Sequence, residues 1–166
     1  MNRGQSSSVI LVVAITLFVS IPIESQPRPS NPLIGTWNLV SIEDHRPPNT
    51  LFALGSNPRG MIIYTATGEM AVQIARNPQS KFSSEYEQAK PEEIRTAYEG
   101  YYAYFGKYDA DLDRKIVTHH VEASLRPGEI GVNYQRAFEL SGDRLVLIPM
   151  EHGKQAPARL TFQRVR

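Results

Sequence analysis

The strongest constraint on the fold is a series of short segments in which apolar and polar residues alternate. Glycine, proline, asparagine or aspartate bounds each segment. Because side chains on a β-strand point to opposite faces in turn, a period of two predicts strands with one buried face. About eight segments show the pattern: 36–43, 61–65, 69–75, 101–109, 115–124, 132–140, 144–148 and 158–164. The chain is therefore predicted to form an antiparallel all-β domain, either a sandwich or a closed barrel.

One segment, 91–99, interrupts the strand pattern. Pro91 suits the first turn of a helix, the acidic pair that follows suits the positive end of the helix dipole, and Gly100 suits its end. The helix would place three apolar residues on one side, and these are Ile94, Ala97 and Tyr98. We expect it to act as a lid or a plug on a barrel, next to a long polar loop at 77–90.

Composition excludes several classes of function. The 166 residues include 18 Lys+Arg and 17 Asp+Glu, so the net charge of +1 is too small to favour nucleic acid as a partner. The absence of cysteine excludes disulfides, thiolate metal sites and a cysteine nucleophile. No phosphate-binding loop, zinc helix, serine elbow or calcium loop is present, so we expect no metal and no cofactor.

The N-terminus resembles an export signal. Arg3 is followed by an uncharged apolar run at 9–21, about thirteen residues long, whereas a membrane-spanning helix needs about twenty. We predict a signal peptide at 1–25, a Pro-rich linker at 26–32 and one domain at 33–166. The mature protein would be secreted or periplasmic and without a stable membrane span; an uncleaved N-terminal anchor is the alternative.

The first strand carries a family resemblance. Gly35-Thr36-Trp37 resembles the Gly-x-Trp signature of lipocalin and calycin barrels, and Arg164 lies where those families carry a basic residue. The chain from about residue 33 onward is similar to the bacterial and fungal lipocalin-like domain proteins. The motifs that carry this similarity are Gly60-x-Ile62-x-Tyr64, Gly68-x-Met70, Gly100-Tyr101-x-Ala103-Tyr104-Phe105-Gly106-x-Tyr108, Val117-x-His119-x-Val121-x-x-Ser124-x-x-Pro127, Gly131, Arg136 and Gly142-Asp143-Arg144-Leu145.

This resemblance implies a lipocalin-like antiparallel β-barrel of about eight strands with one short helix. It implies structural roles for two residues: Trp37 closes one end of the barrel and Arg164 lies over its indole face. The Thr-Asp-Tyr motif and the disulfide of the classical lipocalins are absent. The resemblance therefore implies a fold but no settled chemistry.

Arg136 is the first candidate for a functional role. Strand alternation places it on the same face as Tyr134 and Phe138, where a cation is costly to bury without a partner. One interpretation is a salt bridge with Glu122 or Glu69. The others are that Arg136 holds the acidic head group of a ligand, for which a guanidinium is well shaped, or that it is exposed.

His119 and His120 are adjacent, so a strand would direct them to opposite faces and they could not share a metal ion. We expect His119 to be the inward one, because it shares its row with Val117 and Val121. It is either a hydrogen-bonded core residue, a general base or ligand donor, or simply exposed.

A cluster of aromatic residues spans the predicted helix end and the following strand, and comprises Tyr98, Tyr101, Tyr102, Tyr104, Phe105 and Tyr108. Such a cluster packs a core or lines a cavity. The candidate ligand-binding residues are accordingly Tyr64, Met70, Tyr104, His119 and Arg136.

Three functions remain open from the sequence. The first is binding of a small, mostly hydrophobic molecule, with Arg136 or His119 fixing a polar end, and it predicts an internal cavity. The second is an enzyme for proton transfer, isomerisation or cyclisation, with His119 as base, Arg136 as anion holder and Tyr104 as acid. The third is an interaction module with a filled interior, whose loops, especially 77–90, meet a partner.

Overall fold

A computed structural model describes residues 31–44 and 54–166. The predicted signal peptide and most of the predicted linker lie outside the described residues. The described part contains one α-helix, α1 (Pro91–Glu99), and two short 3-10 helices, Tyr86–Gln88 and Pro127–Glu129. Its strands are β1 (Gly35–Asp44), β2 (Arg59–Tyr64), β3 (Glu69–Ala75), β4 (Tyr101–Asp111), β5 (Ile116–Ser124), β6 (Asn133–Ser141), β7 (Arg144–Glu151), β8 (Lys154–Gln155) and β9 (Ala158–Arg164).

The strands form a closed barrel. Strands β1 to β7 each pair antiparallel with the next, and β9 pairs with both β7 and β1, which closes the ring at eight strands. The short β8 pairs only with the end of β7 and lies outside the ring. The predicted eight-stranded lipocalin-like barrel with one helix is confirmed, and closure decides against the sandwich.

The core follows from the alternation that the sequence shows. In β3, for example, Met70, Val72 and Ile74 are buried, whereas Glu69 and Gln73 are exposed. Each strand contributes one such row, so the inner rows of eight strands meet in a single apolar interior.

A β-bulge interrupts the pairing of β4 with β5: Phe105 pairs with Ala123 and the next residue, Gly106, pairs with Val121, so the extra residue, Glu122, is in β5. A Cβ atom on Gly106 would collide with the backbone carbonyl oxygen of His120. Only glycine allows the two backbones to approach this closely, so the bulge depends on it.

Trp37 closes one end of the barrel. Its indole is fully buried, and its ring nitrogen donates to the carbonyl oxygen of Leu33 at 2.8 Å. The guanidinium carbon of Arg164 lies 3.9 Å from the Trp37 ring centroid. Arg164 also donates to the carbonyl oxygens of Ile34 and Pro32, each at 2.7 Å. The segment before β1 is thereby tied to the last strand.

Helix α1 and the 77–90 loop lie at the opposite end, where β3 ends and β4 begins. No residue of α1 is buried, and Ile94 and Tyr98 remain 40% and 45% exposed. The expectation that this helix plugs the barrel is therefore wrong, because none of its residues is buried in the interior, whereas its alternative role as a lid stays a prediction. No helix in the described part of the chain is long and apolar enough to cross a membrane.

Candidate functional site

The candidate site is built around His119, in the middle of β5. His119 shares the inner row of this strand with Val117 and Val121, and its side chain is fully buried. The neighbouring His120 points outward, where its ring bonds to the side chains of Asp109 and Asn133 at 2.7 Å each. The two histidines therefore lie on opposite faces of the barrel wall.

Both ring nitrogens of His119 bond to tyrosine hydroxyls. Nε2 lies 2.7 Å from Tyr64 Oη, and Nδ1 lies 2.8 Å from Tyr104 Oη. Arg136 extends this series of hydrogen bonds, because its Nη2 donates to Tyr104 Oη at 3.2 Å. We call these four residues, in the order Arg136, Tyr104, His119 and Tyr64, the buried polar network.

The enclosure of His119 determines its charge. Burial, followed by the positive charge of Arg136, holds the pKa of His119 well below its ordinary value of 6.5. The imidazole is therefore neutral at pH 7, with one nitrogen that carries a hydrogen and one that accepts. Because both nitrogens bond to tyrosines, His119 can act on a bound molecule only through a tyrosine hydroxyl.

Arg136 is half-buried in β6 and lies among aromatic rings. Its guanidinium carbon lies 5.4 Å from the ring centroid of Tyr134, two residues earlier on the same face. Burial alone would lower its pKa, but the surrounding tyrosine oxygens, that of Tyr104 first and then those of Tyr102 and Tyr64, outweigh this and raise the pKa of Arg136. Arg136 is therefore a fixed cation inside the barrel wall.

The predicted salt bridge of Arg136 with Glu122 or Glu69 is wrong. Within residues 31–44 and 54–166, no carboxylate pairs with Arg136. The carboxylate of Glu69 instead accepts hydrogen bonds from Thr65 and Thr67 in its own hairpin turn. Glu122 lies in the outward row of β5 and is exposed, so its carboxylate faces away from the interior.

A carboxylate does lie near the network, but it has other partners. Glu129 Oε2 accepts hydrogen bonds from Ser124 Oγ at 2.9 Å and from Tyr102 Oη at 3.2 Å. Arg126 lies 3.8 Å from Glu129 and stacks over the Tyr102 ring at 4.9 Å. This cluster holds the turn after β5 against the barrel. Glu129 comes from a turn, where no periodic pattern indicates which side chains point inward.

The space beside the network is small. It measures about 10 Å³, and the residues that line it are Ile62, Val72, Ile74, Tyr102, Tyr104, His119, Arg136, Leu147, Leu160 and Phe162. A single water needs roughly 10–15 Å³, whereas ligand pockets are typically about 300–1,000 Å³. The cavity that ligand binding predicted is therefore not preformed among these residues, whose side chains fill the interior.

The structure brings four of the five candidate ligand-binding residues together: Tyr64, Tyr104, His119 and Arg136. Met70 is also buried, but it lines neither the small space nor the hydrogen-bonded chain. Tyr134 completes the surroundings of Arg136 and was not among the candidates. Its position two residues before Arg136 on an inward-facing row was the signal that could have identified it.

Comparison with known proteins supplies one strong match. A family model described as a lipocalin-like domain matches residues 34–165. No curated protein matches the sequence. Among solved structures, the crystal structure of a mutant of the fluorescent protein UnaG is similar at 13% sequence identity; the similarity covers 80% of this chain and 95% of that chain, with a TM-score of 0.36.

Proposed function

The chain belongs to the lipocalin-like domain family, and we propose that it binds a small, mostly hydrophobic molecule whose acidic head group is held by Arg136. A lipocalin-like barrel supports ligand binding in general, because its inner rows offer an apolar surface with a few polar groups. The polar groups of this barrel converge on one point, the buried polar network.

The observation that carries the proposal is the state of Arg136. A cation partly removed from water is costly unless hydrogen bonds, aromatic rings or an anion offset the lost hydration; among the described residues Arg136 has the Tyr104 hydroxyl and the Tyr134 ring but no carboxylate. A guanidinium has five N–H donors, of which Arg136 uses one within the described part of the chain, on Tyr104. A carboxylate would accept from the donors that remain and would supply the missing negative charge.

The small enclosed space determines how such a ligand enters. Because only about 10 Å³ is free beside Arg136, the apolar part of the ligand must displace side chains. Tyr102 and Tyr134 are the second residues of β4 and β6, so they lie nearest the end at which these strands begin. Ligand entry thus moves these two rings and exposes the apolar rows of β2, β3 and β9 to the ligand.

Calorimetric titration with a matched pair of probes tests the proposal. Dodecanoate and dodecanol have the same chain length and differ in charge. We expect the protein to bind dodecanoate at least about tenfold more tightly, which corresponds to about 1.4 kcal/mol. In Arg136→Met this preference disappears. Arg159→Met is the matched control, because Arg159 pairs with Glu139 on the outer face; it keeps the preference. An unchanged preference in Arg136→Met, or binding of neither probe, contradicts the proposal.

The filled interior favours a second candidate function. A barrel with no room for a ligand can present its loops, including 77–90, to a partner as an interaction module. Failure of both probes to bind, together with an unchanged mass in native mass spectrometry of protein from its own host, would support this alternative.

Export is part of the proposal and depends on the leader sequence alone. The apolar run at 9–21 supports cleavage near residue 25 and a secreted or periplasmic location. N-terminal sequencing of the mature protein checks it. An intact Met1 on protein recovered from the cell membrane would indicate an uncleaved anchor instead.

A further inference from the structure

The buried polar network contains one more hydrogen than its bonds can use. Three hydrogen bonds link its four residues in a line, and Arg136 supplies the hydrogen of the first. The other two bonds need two hydrogens. Tyr104, neutral His119 and Tyr64 together carry three. One hydrogen of the network is therefore left over.

The tautomer of His119 decides which hydrogen this is. If Nε2 carries the hydrogen, His119 donates to Tyr64 and accepts from Tyr104, so the hydroxyl hydrogen of Tyr64 is left over. If Nδ1 carries it, His119 donates to Tyr104 and accepts from Tyr64. The hydroxyl hydrogen of Tyr104 is then left over.

The two left-over positions differ in their surroundings. Tyr64 is 1% exposed, and among the described residues its hydroxyl bonds to His119 alone. It does not line the small space. Tyr104 does line that space, and its hydroxyl lies 3.2 Å from Arg136 Nη2. Only the Nδ1–H tautomer therefore presents a free hydrogen next to the cation.

We propose that the Tyr104 hydroxyl and the Arg136 guanidinium form a two-donor site for a carboxylate, and that His119, supported by Tyr64, is the positioning residue that frees the Tyr104 hydrogen for it. The inference rests on the proposed function and specifies its head group: an oxyanion with two acceptor oxygens. A bound carboxylate takes one hydrogen bond from each donor. It thereby fixes His119 as the Nδ1–H tautomer.

The ¹⁵N chemical shifts of the imidazole rings test this directly. In protein with ¹⁵N-labelled histidine, addition of dodecanoate is expected to give His119 a pyrrole-type shift at Nδ1 and a pyridine-type shift at Nε2. The chain has 4 histidines, and His119→Gln identifies the signal by its loss. The tautomer itself is read from the unsubstituted protein. An Nε2–H tautomer in the complex would overturn the inference, because Tyr104 would then donate to His119.

A hydroxyl deletion provides the second arm. Tyr104→Phe is expected to weaken dodecanoate binding at least about tenfold, as for the loss of a hydrogen bond to a charged group, and to leave dodecanol unaffected. Tyr108→Phe is the control, because the Tyr108 hydroxyl bonds to the carbonyl oxygen of Thr65 and not to the network. Near-UV circular dichroism verifies that both variants are folded.

The outcomes separate this inference from the proposed function. Equal dodecanoate affinity in folded Tyr104→Phe and the unsubstituted protein, together with Arg136-dependent binding, would overturn the two-donor site and leave the proposed function standing. Failure of dodecanoate to bind the unsubstituted protein would overturn both.

Discussion

Polar residues inside the barrel find their partners across long sequence separations. His119 bonds to Tyr64 and Tyr104, which are 55 and 15 residues away, and within the described residues no buried side-chain nitrogen or oxygen lacks a partner. A buried polar group without a hydrogen bond costs about 1–3 kcal/mol. The network thus makes a polar interior compatible with a stable barrel.

Arg164 is the residue for which the expected effect on stability is clearest. Arg164→Met removes two hydrogen bonds to carbonyl oxygens, the contact with the Trp37 ring and a 3.6 Å ion pair with Asp143. We expect the free energy of unfolding to fall by about 2–3 kcal/mol. Urea denaturation followed by the fluorescence of Trp37 measures it, since Trp37 is the only tryptophan.

The control is Arg166→Met. Arg166 is an 87% exposed side chain that pairs with Asp143, and exposed pairs contribute about 0–1 kcal/mol. Equal stability of Arg164→Met and Arg166→Met would show that Arg164 does not hold the closed end.

Among the elements, α1 shows how a helix can be retained with little burial. Pro91 begins it, Gly100 ends it, and Glu93 accepts hydrogen bonds from the backbone amides of Lys90 and Ser83 at 3.0 and 2.9 Å. These hydrogen bonds lower the pKa of Glu93 below its ordinary value of 4.5, and the bond from Lys90 has the larger effect. Local capping, rather than core packing, thus defines this helix.

Replacement of Glu93 tests that view. In Glu93→Ala the amides of Ser83 and Lys90 lose their acceptor, so we expect them to exchange hydrogen faster while the barrel strands are unaffected. In the unsubstituted protein, ionised Glu93 protects these two amides from exchange. Because the pKa of Glu93 is lowered in the folded state, this protection is complete above pH 4.5 and is lost as the pH falls through the lowered pKa. Hydrogen exchange measured by NMR detects both effects.

Glu92→Ala is the matched control, since the Glu92 carboxylate makes no hydrogen bond or ion pair within the described residues. Equal acceleration in Glu92→Ala and Glu93→Ala would mean that acidic charge near the helix start, not the amide bonds, holds the loop.

At the scale of the whole molecule, barrel closure links His119 to global stability. His119 is neutral in the folded state because it is fully enclosed, but it regains a pKa near 6.5 when the barrel opens. Below pH 6.5 the His119 imidazole therefore binds a proton in the unfolded chain but not in the folded chain. Acid thus favours unfolding through this residue.

The stability contribution of His119 is complete above pH 6.5 and decreases as the pH falls below it, by about 1.4 kcal/mol per pH unit. His120 acts in the opposite sense: Asn133, then Asp109, raise its pKa, so its contribution is present below pH 6.5 and is lost as the pH rises through the raised value. Urea unfolding between pH 5 and 7 gives the free energy of unfolding of the unsubstituted protein and of His119→Gln. The difference between the two pH profiles is the contribution of His119. Parallel pH profiles of the two proteins would contradict it.

Local sequence patterns were enough to place the helix, the strands of the ring and their inward rows. Segments 69–75, 91–99 and 158–164 match the observed elements at both ends. The reason is physical: strand alternation and helix capping depend on residues only a few positions apart. For the same reason His119 could be assigned to the interior and His120 to the outside.

The partners of those inward residues depend on how the ring of strands closes. The expected partner of Arg136 was a carboxylate, yet it meets Tyr104 and Tyr134, because closure and the bulge at Gly106 set which rows converge. The same holds for the enclosed volume. The space beside the network is the small difference between the volume that the eight-stranded ring encloses and the summed volume of its inward side chains. No local sequence pattern predicts that difference.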